Sequence, residues 1–139
     1  MTALLVALVA QFGCQLFKVT YYGIARGRFE PRWLSSAGGM PSAHTAFVVA
    51  LAVFVGLRSG FGSELFAVSA VFASIVVYDA YRLRGTVERH ARVLQALLAA
   101  HPDVEAEELH DMVGHTIPEI AVGIVVGAAV AVAGWLVVR

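Results

Sequence analysis

The sequence predicts an all-α integral membrane protein, a helical bundle with about four transmembrane helices and a cytoplasmic amphipathic helical loop. Of its 139 residues, 59% are hydrophobic and only 14% are charged, and the mean hydropathy is +0.77. A water-soluble domain of this length exposes far more charge, which favours the membrane class. The formal net charge of zero implies no broad attraction to nucleic acid. The single cysteine, Cys14, cannot form an internal disulfide.

Four apolar segments define the predicted bundle. Each approaches the roughly 17–25 residues that a helix needs to cross a bilayer, although the second is short. No basic residue precedes the first segment and polar side chains interrupt it, so we interpret it as a retained helix rather than a signal peptide. No internal repeat is visible, and residues 1–139 are predicted to form a single domain. The segments run from Ala3 to Ile24, Ser42 to Leu57, Ser63 to Tyr81 and Pro118 to Val138.

One markedly polar region, roughly residues 82–114, separates the third and fourth segments. Its first part repeats apolar residues at helical spacing with arginines around them. This pattern predicts an amphipathic helix, at the membrane surface or folded against the bundle. His-Pro-Asp at 101–103 is expected to end this helix, and a shorter acidic helix is predicted after it. The apolar repeat consists of Val87, Ala91, Leu94 and Leu98.

The distribution of arginines predicts the orientation in the membrane. The loop after the second segment contains only Arg58, and the C-terminus only Arg139. Because cytoplasmic loops are enriched in Lys and Arg, the first and third loops are predicted to be cytoplasmic and both termini to be outside. The arginines of these two loops are Arg26, Arg28, Arg32, Arg82, Arg84, Arg89 and Arg92.

Glycines in the fourth segment predict close packing of helices. Gly123 and Gly127 are four residues apart, the spacing that lets two helix backbones approach each other in a membrane. Packing within the chain and dimerisation both fit this spacing.

Two histidine motifs are predicted to meet on the cytoplasmic side. GGMPSAH at 38–44 ends the first loop and GHTIPE at 114–119 ends the third, and each places a histidine at the start of a helix. With four spans, these loops lie on the same side of the membrane. Helix N-termini present unpaired N–H groups and partial positive charge, which bind phosphate. Two converging N-termini, each with an imidazole, predict a site for a phosphate ester.

Each motif also has a purely structural interpretation. Ser42 can cap the second helix with His44 in its first turn, after an ordinary glycine loop. Thr116 and Glu119 have capping-box spacing. Glu119 is also four residues from His115, close enough to accept a hydrogen bond from its ring and fix its tautomer. The sequence does not decide between the two roles of this carboxylate.

Cationic residues are the next candidates for the site. Lys18, late in the first segment, must either extend to the interface or meet an anion. Arg82 and Arg84 follow Asp79 near the same membrane face. They can form a structural ion pair with that carboxylate or hold a phosphate.

These motifs together resemble a known superfamily. Pro-Ser-Ala-His at 41–44 resembles the P-S-G-H motif of the type-2 phosphatidic-acid phosphatases, whose superfamily includes vanadium haloperoxidases. The order Lys18, GGMPSAHTA, YDAYRLR and GHTIPE more closely resembles the small divergent membrane branch of that superfamily, and the resemblance extends from about Gln15 to Gly127. It implies hydrolysis of phosphomonoesters through a phosphohistidine, without a metal or other cofactor.

The resemblance also implies a role for individual residues. His115 would be the nucleophile, and Glu119 stands where the family has an aspartate that orients it. His44 would be the general acid that protonates the leaving alcohol. The phosphate oxygens would be held by Lys18, Ser42 and the region of Gly39.

Several positions depart from the family pattern. The family has an arginine six residues before the nucleophilic histidine, where this chain has Leu109. Arg82 or Arg84 would have to replace it. Ala25 stands where the first motif has its arginine. The reduction of a six-helix core to about four spans favours a homodimer that completes the structure.

Three functions are compatible with these residues. The leading hypothesis is a membrane phosphatase that hydrolyses a lipid phosphate or diphosphate monoester through a phosphohistidine. The alternative is a non-catalytic membrane protein that binds anionic lipid head groups or a protein partner. A metal-assisted phosphotransfer enzyme using Asp79, Glu108 and Asp111 ranks last, because no cluster of carboxylates on one helix face is apparent.

Overall fold

Four α-helices make up the part of the bundle that the structure describes. The structure, a computed structural model, describes residues 2–27, 39–101 and 115–139, and no strand occurs among them. Three helices are long and apolar enough to cross a membrane, and the remaining one is a shorter apolar helix. The prediction of an all-α membrane bundle is confirmed. The helices are α1 (Thr2–Arg26), α2 (Ala43–Ser59), α3 (Glu64–Ala100) and α4 (Ile117–Val138).

The short helix α2 lies at the centre of the bundle and packs against α1, α3 and α4. Small side chains such as Ala46 and Ala50, both with 0% exposure, let the neighbouring backbones approach it closely. Phe54 fills the core toward the far end of α2. The core residues that α1 and α4 contribute are Val6, Ala10, Cys14 and Ala131. The three outer helices therefore enclose α2 and fix where its N-terminus lies.

Two glycines bring the backbone of α4 directly against α2. A Cβ at Gly123 would lie 2.7 Å from the carbonyl oxygen of Ser42, and a Cβ at Gly127 would lie 2.6 Å from that of Ala46. No real Cβ atom tolerates backbone contacts this short, so these positions require glycine. The G-x-x-x-G spacing therefore serves packing within the chain, and the homodimer stays a prediction that does not depend on it.

Helix α3 is one continuous helix of 37 residues rather than a span followed by a separate amphipathic helix. The span predicted to end near Tyr81 and the helix predicted after it join without a break, because α3 contains no proline and its single glycine, Gly85, is tolerated in a helix at a cost of about 1 kcal/mol. At 1.5 Å per residue α3 is about 55 Å long, so it extends beyond the roughly 30 Å of bilayer hydrocarbon. The predicted end before His-Pro-Asp is confirmed, since His101 is the C-cap. The acidic helix predicted after it lies outside the described residues.

Serine caps set the starts of α2 and α3. The Ser42 hydroxyl oxygen accepts a hydrogen bond from the Thr45 N–H over 3.4 Å, and that of Ser63 accepts one from the Phe66 N–H over 3.2 Å. Each serine thus satisfies one of the N–H groups that have no partner in the first turn of a helix. The two predicted spans that begin with these serines are confirmed to within one residue at their N-terminal ends.

Candidate functional site

The N-termini of α2 and α4 lie side by side at one end of the bundle. The Ser42 N–H donates a hydrogen bond to the carbonyl oxygen of Glu119 over 3.1 Å. The His115 N–H donates to the carbonyl oxygen of Ala80 over 3.5 Å, which joins the middle of α3 to the same end. The structure therefore brings the two histidine motifs together, as expected from the number of spans.

The N-terminus of α2 contributes two residues to the site: Ser42, which is a buried helix cap, and His44, which is partly buried. Ser42 has 0% exposure, and besides capping the helix its hydroxyl donates a hydrogen bond to Thr45 Oγ1 over 2.9 Å. Its predicted capping role is confirmed, while its contact with a phosphate stays a prediction. His44 is the second residue of α2, so the prediction that it lies in the first turn is also confirmed.

Gly39 is held in a conformation that other residues rarely adopt. Its φ angle is +87°, and a Cβ there would lie 3.3 Å from the ring of Tyr22 on α1. The glycine therefore lets the chain before α2 pass closely over α1. Because Gly39 has no side chain, a phosphate could approach its backbone closely at the entrance to the site, as predicted.

His115 and Glu119 form the central contact of the site. His115 Nδ1 lies 3.2 Å from Glu119 Oε2, and the histidine side chain has 0% exposure. The same Oε2 accepts a hydrogen bond from the Thr116 N–H over 2.9 Å. One carboxylate oxygen therefore fills both roles that the sequence left open, as helix cap and as partner of the imidazole. In the tautomer that donates from Nδ1, Nε2 carries the lone pair and is the nucleophilic nitrogen.

Lys18 brings a positive charge from α1 to this pair. It is only 1% exposed and is the largest buried side chain of the described residues. The carboxylate of Glu119 is near enough to favour its charged ammonium form, and Cys14 lies one helical turn before it on α1. Its burial is what is expected of a lysine that meets an anion rather than one that extends to the interface, and its contact with a phosphate stays a prediction. A cation this well buried in a membrane bundle makes Lys18 a candidate for the functional site.

Sequence reasoning missed two residues of α1 that lie beside Lys18 along the helix. Gln15 is 8% exposed, and its Oε1 has no hydrogen-bond partner among the described residues. Tyr22 contacts Gly39, as described above. The signal was the spacing of Gln11, Gln15, Lys18 and Tyr22 at i, i+4, i+7 and i+11, which places all four on one face of α1.

The arginines predicted to hold phosphate lie on α3 near Ala80. Arg82 is exposed to the surroundings of the bundle. Arg84 belongs to α3, but its side chain lies outside the described part of the structure, as does that of Arg26. Position 84 is four residues after the buried Ala80 and so shares its helix face, whereas position 82 is about 200° around the helix from it.

Other predicted features fall outside the described ranges. These are Arg28, Arg32, Glu108, Leu109 and Asp111. Within the described ranges, no group of three His, Cys, Asp or Glu residues is placed to hold a metal ion.

Comparisons with known proteins identify the family of this chain. The model of the divergent PAP2 family matches residues 1–130. The chain is 40% identical over 95 residues to the uncharacterized membrane protein YuiD of Bacillus subtilis (strain 168); the alignment covers 68% of this chain and 60% of that protein, so the chain spans about three fifths of its relative's length. No solved structure matches the chain. The extent of the family match shows that this integral membrane protein belongs to the divergent PAP2 family.

Proposed function

We propose that this protein is a membrane phosphatase that hydrolyses a lipid phosphate or diphosphate monoester through a phosphohistidine intermediate. The observation that carries the proposal is the pair of His115 and Glu119, 3.2 Å apart, at the junction of two helix N-termini. A carboxylate on Nδ1 makes the imidazole a better nucleophile at Nε2. Both N-termini direct N–H groups and partial positive charge toward the same end of the bundle.

The chemistry proceeds in two displacements at phosphorus. In the first, His115 Nε2 attacks, the bond between phosphorus and the lipid oxygen breaks, and His44 protonates the departing oxygen. In the second, a water molecule attacks the phosphohistidine and gives a proton to His44, releasing inorganic phosphate and restoring both imidazoles. Proton transfer by a positioned histidine contributes typically about 10²–10⁴ in rate.

Lys18 and the two helix N-termini supply the charge that balances the transferred phosphoryl group. The lysine interacts with Glu119, so its ammonium lies within reach of the charge that develops beside His115. Oriented cations and N–H donors stabilise such charge without reorganising during the reaction. In this proposal the head group enters at the cytoplasmic end of the bundle, as the arginines of the loops predict, while the tails stay in the bilayer.

The test is phosphate release from a panel of lipid phosphates by the detergent-purified protein, with EDTA and vanadate added separately. Release that resists EDTA and is inhibited by vanadate is expected, since vanadate resembles the pentacoordinate phosphorus of each displacement. Release that EDTA abolishes would replace this mechanism by the metal-assisted one.

A second candidate function is a non-catalytic protein that binds anionic head groups. Its support is that Glu119 already serves as a helix cap and that Leu109 stands where the family has an arginine. This function gives measurable binding of lipid phosphates with no release of phosphate from any of them. The release assay therefore separates the two functions directly.

Replacing Glu119 with glutamine separates its two roles. The amide oxygen of Glu119→Gln can still accept the Thr116 N–H, so Tm is expected to change little. The amide lacks the charge that orients and activates His115, and turnover is expected to fall by about 10² or more, in the way that removing the carboxylate of a catalytic triad does. Steady-state kinetics and thermal unfolding of the same preparation measure both effects. A large fall in Tm with unchanged turnover per folded molecule would assign Glu119 to the helix cap alone.

Arg82 and Arg84, two of the arginines of α3, offer a matched pair of variants. Because position 84 shares the helix face of Ala80, which lies next to His115, we expect Arg84 to replace the missing family arginine. Arg84→Ala should lower phosphate release by about 10²–10³-fold, the usual effect of removing one donor to a transition state. Arg82→Ala, on the opposite face, should change it by less than about threefold, as for an exposed charge.

The rates of both variants are compared at saturating lipid phosphate and equal membrane insertion. Equal losses of phosphate release in Arg82→Ala and Arg84→Ala would mean that the helix face on which an arginine lies does not determine whether it holds the phosphate. A loss confined to Arg82→Ala would reverse the assignment.

A further inference from the structure

An apolar groove lies along the seam between α1 and α4, directly beneath the candidate site. Its upper part is a cavity of about 270 Å³ whose walls include Gly13, Phe17, Pro41 and Val122. Its lower part is a cavity of about 480 Å³ whose walls include Val9. The groove thus has walls from both helices at two successive levels of the bundle.

The two cavities follow one another along both helices. Gly13 in the upper wall is one helical turn from Val9 in the lower wall, and on α4 Val126 is one turn from Val130. The walls extend along α1 from Phe17 to Thr2, which corresponds to about 22 Å at 1.5 Å per residue. The groove therefore runs parallel to the helices for more than the roughly 15 Å of one hydrocarbon leaflet.

The upper end of the groove shares residues with the site. Cys14 forms part of its wall and lies one helical turn before Lys18 on α1. Pro41 precedes the capping Ser42, and Val122 is one turn beyond Glu119 on α4. If a lipid places its phosphate at the site, the upper end of the groove is the first part of the groove that its hydrocarbon chain reaches.

We infer that the groove between α1 and α4 receives one hydrocarbon chain of the lipid whose phosphate occupies the site. This inference rests on the proposed function and adds to it the path of the substrate's tail. The length of the groove fits a single hydrocarbon chain of one leaflet. Its upper end favours a chain of the bound lipid over a helix from a second copy, because Cys14 and Pro41 in its wall adjoin the part of the bundle that holds Lys18 and Ser42.

The groove is expected to determine where the substrate head group is held rather than how tightly the substrate binds. Lipid tails in the surrounding bilayer are as apolar as the walls of the groove, so a chain that enters it gains little free energy of transfer. A chain held against α1 fixes the head group relative to His115, and misplacement by about 1 Å can slow an enzyme by 10²-fold. The groove should therefore affect turnover of long-chain substrates and leave short-chain ones unaffected.

Gly13→Leu fills the upper groove without displacing the backbone. A Cβ at Gly13 would meet no atom within 4 Å, so the leucine side chain has room to enter the cavity. The control is Ala67→Leu, which introduces the same leucine side chain at an exposed position of α3 that borders neither cavity.

The first measurement compares phosphate release from a long-chain phosphatidate and from dihexanoyl phosphatidate. Gly13→Leu is expected to lower release from the long-chain lipid by about tenfold or more, with less than a twofold change for the short one. Ala67→Leu should resemble the wild type with both. Equal losses on both lipids, or no loss on the long one, would overturn the inference.

A second measurement does not depend on catalysis. Wild-type protein in phosphatidylcholine vesicles is cross-linked to a long-chain phosphatidate that carries a diazirine along its chain, and the labelled peptides are identified by mass spectrometry. Labels are expected along α1 and α4, and fewer of them in Gly13→Leu. If wild-type protein releases no phosphate but labels concentrate there, the proposed function fails while the groove assignment holds. Labels spread evenly around the bundle, or a dimer that Gly13→Leu dissociates, would overturn the assignment.

Discussion

Replacement of His115 by alanine is expected to abolish phosphate release from every lipid substrate while leaving membrane insertion intact. The variant loses the nitrogen that attacks phosphorus, so the covalent route disappears and turnover should fall by at least about 10³-fold. The backbone hydrogen bond from residue 115 to Ala80 does not need the imidazole, and Glu119 keeps its bond to the Thr116 N–H. Phosphate release and insertion into vesicles are measured on the same preparation.

Two other histidines make the result specific. His90→Ala removes an exposed imidazole from α3 and should leave the rate unchanged. With 4-nitrophenyl phosphate, whose leaving group needs no protonation, His44→Ala should keep the initial burst of 4-nitrophenol from the first displacement but turn over slowly, because the water of the second displacement lacks its base. A His115→Ala protein that still forms an acid-labile phosphoprotein, or turns over at a rate near that of the wild type, would remove His115 as the nucleophile.

Gly127→Leu is expected to prevent stable packing of the bundle. Even a Cβ at this position would lie 2.6 Å from the Ala46 carbonyl oxygen and 3.0 Å from its Cα, both backbone atoms of the central helix. These atoms cannot move aside as a flexible side chain can, so α4 would have to separate from α2. For Gly127→Ala the loss should be about 1–3 kcal/mol of unfolding free energy, and the leucine variant should lose more.

The natural control for the glycine series is Gly13→Ala. Its new Cβ enters open space, and alanine is favoured over glycine inside a helix by about 1 kcal/mol, so stability should stay the same or rise. Thermal unfolding in detergent, followed by tryptophan fluorescence, compares the variants. If Gly127→Ala and Gly13→Ala had equal Tm values, the close contact between α4 and α2 would not be what holds the bundle together.

Much of the fold could be predicted because its signals are local. Ser42, Ser63 and Pro118 mark helix starts through the hydrogen-bonding chemistry of the first turn, and the structure agrees at each. The meeting of the two histidine motifs followed from counting spans, a property of the chain's path through a membrane rather than of distant contacts. The continuity of α3 through Tyr81 was missed because a helix that leaves the membrane and one that lies along its surface share the same periodicity.

The features that escaped prediction depend on which faces of the helices meet. Lys18 could have extended to the interface, and only the packing of α1 places it beside Glu119. The two roles of Glu119 looked exclusive, yet one oxygen serves both because the Thr116 N–H and the His115 ring approach it together. For the same reason, the sequence did not show which helix packs against Gly127. The G-x-x-x-G spacing indicates a close approach of two helices but does not identify the second helix.

The central helix α2 is also the shortest, and that length sets the depth of the site. Its 17 residues correspond to about 25 Å, some 5 Å less than the hydrocarbon thickness of a typical bilayer. If its Ser59 end reaches one boundary, Ser42 stays below the other, so head groups meet His44 only where the bilayer thins around the protein. For the proposed lipid substrate, hydrophobic mismatch would thereby make membrane thickness a determinant of access: a thinner host membrane would lower the head groups to the site, and a thicker one would withdraw them.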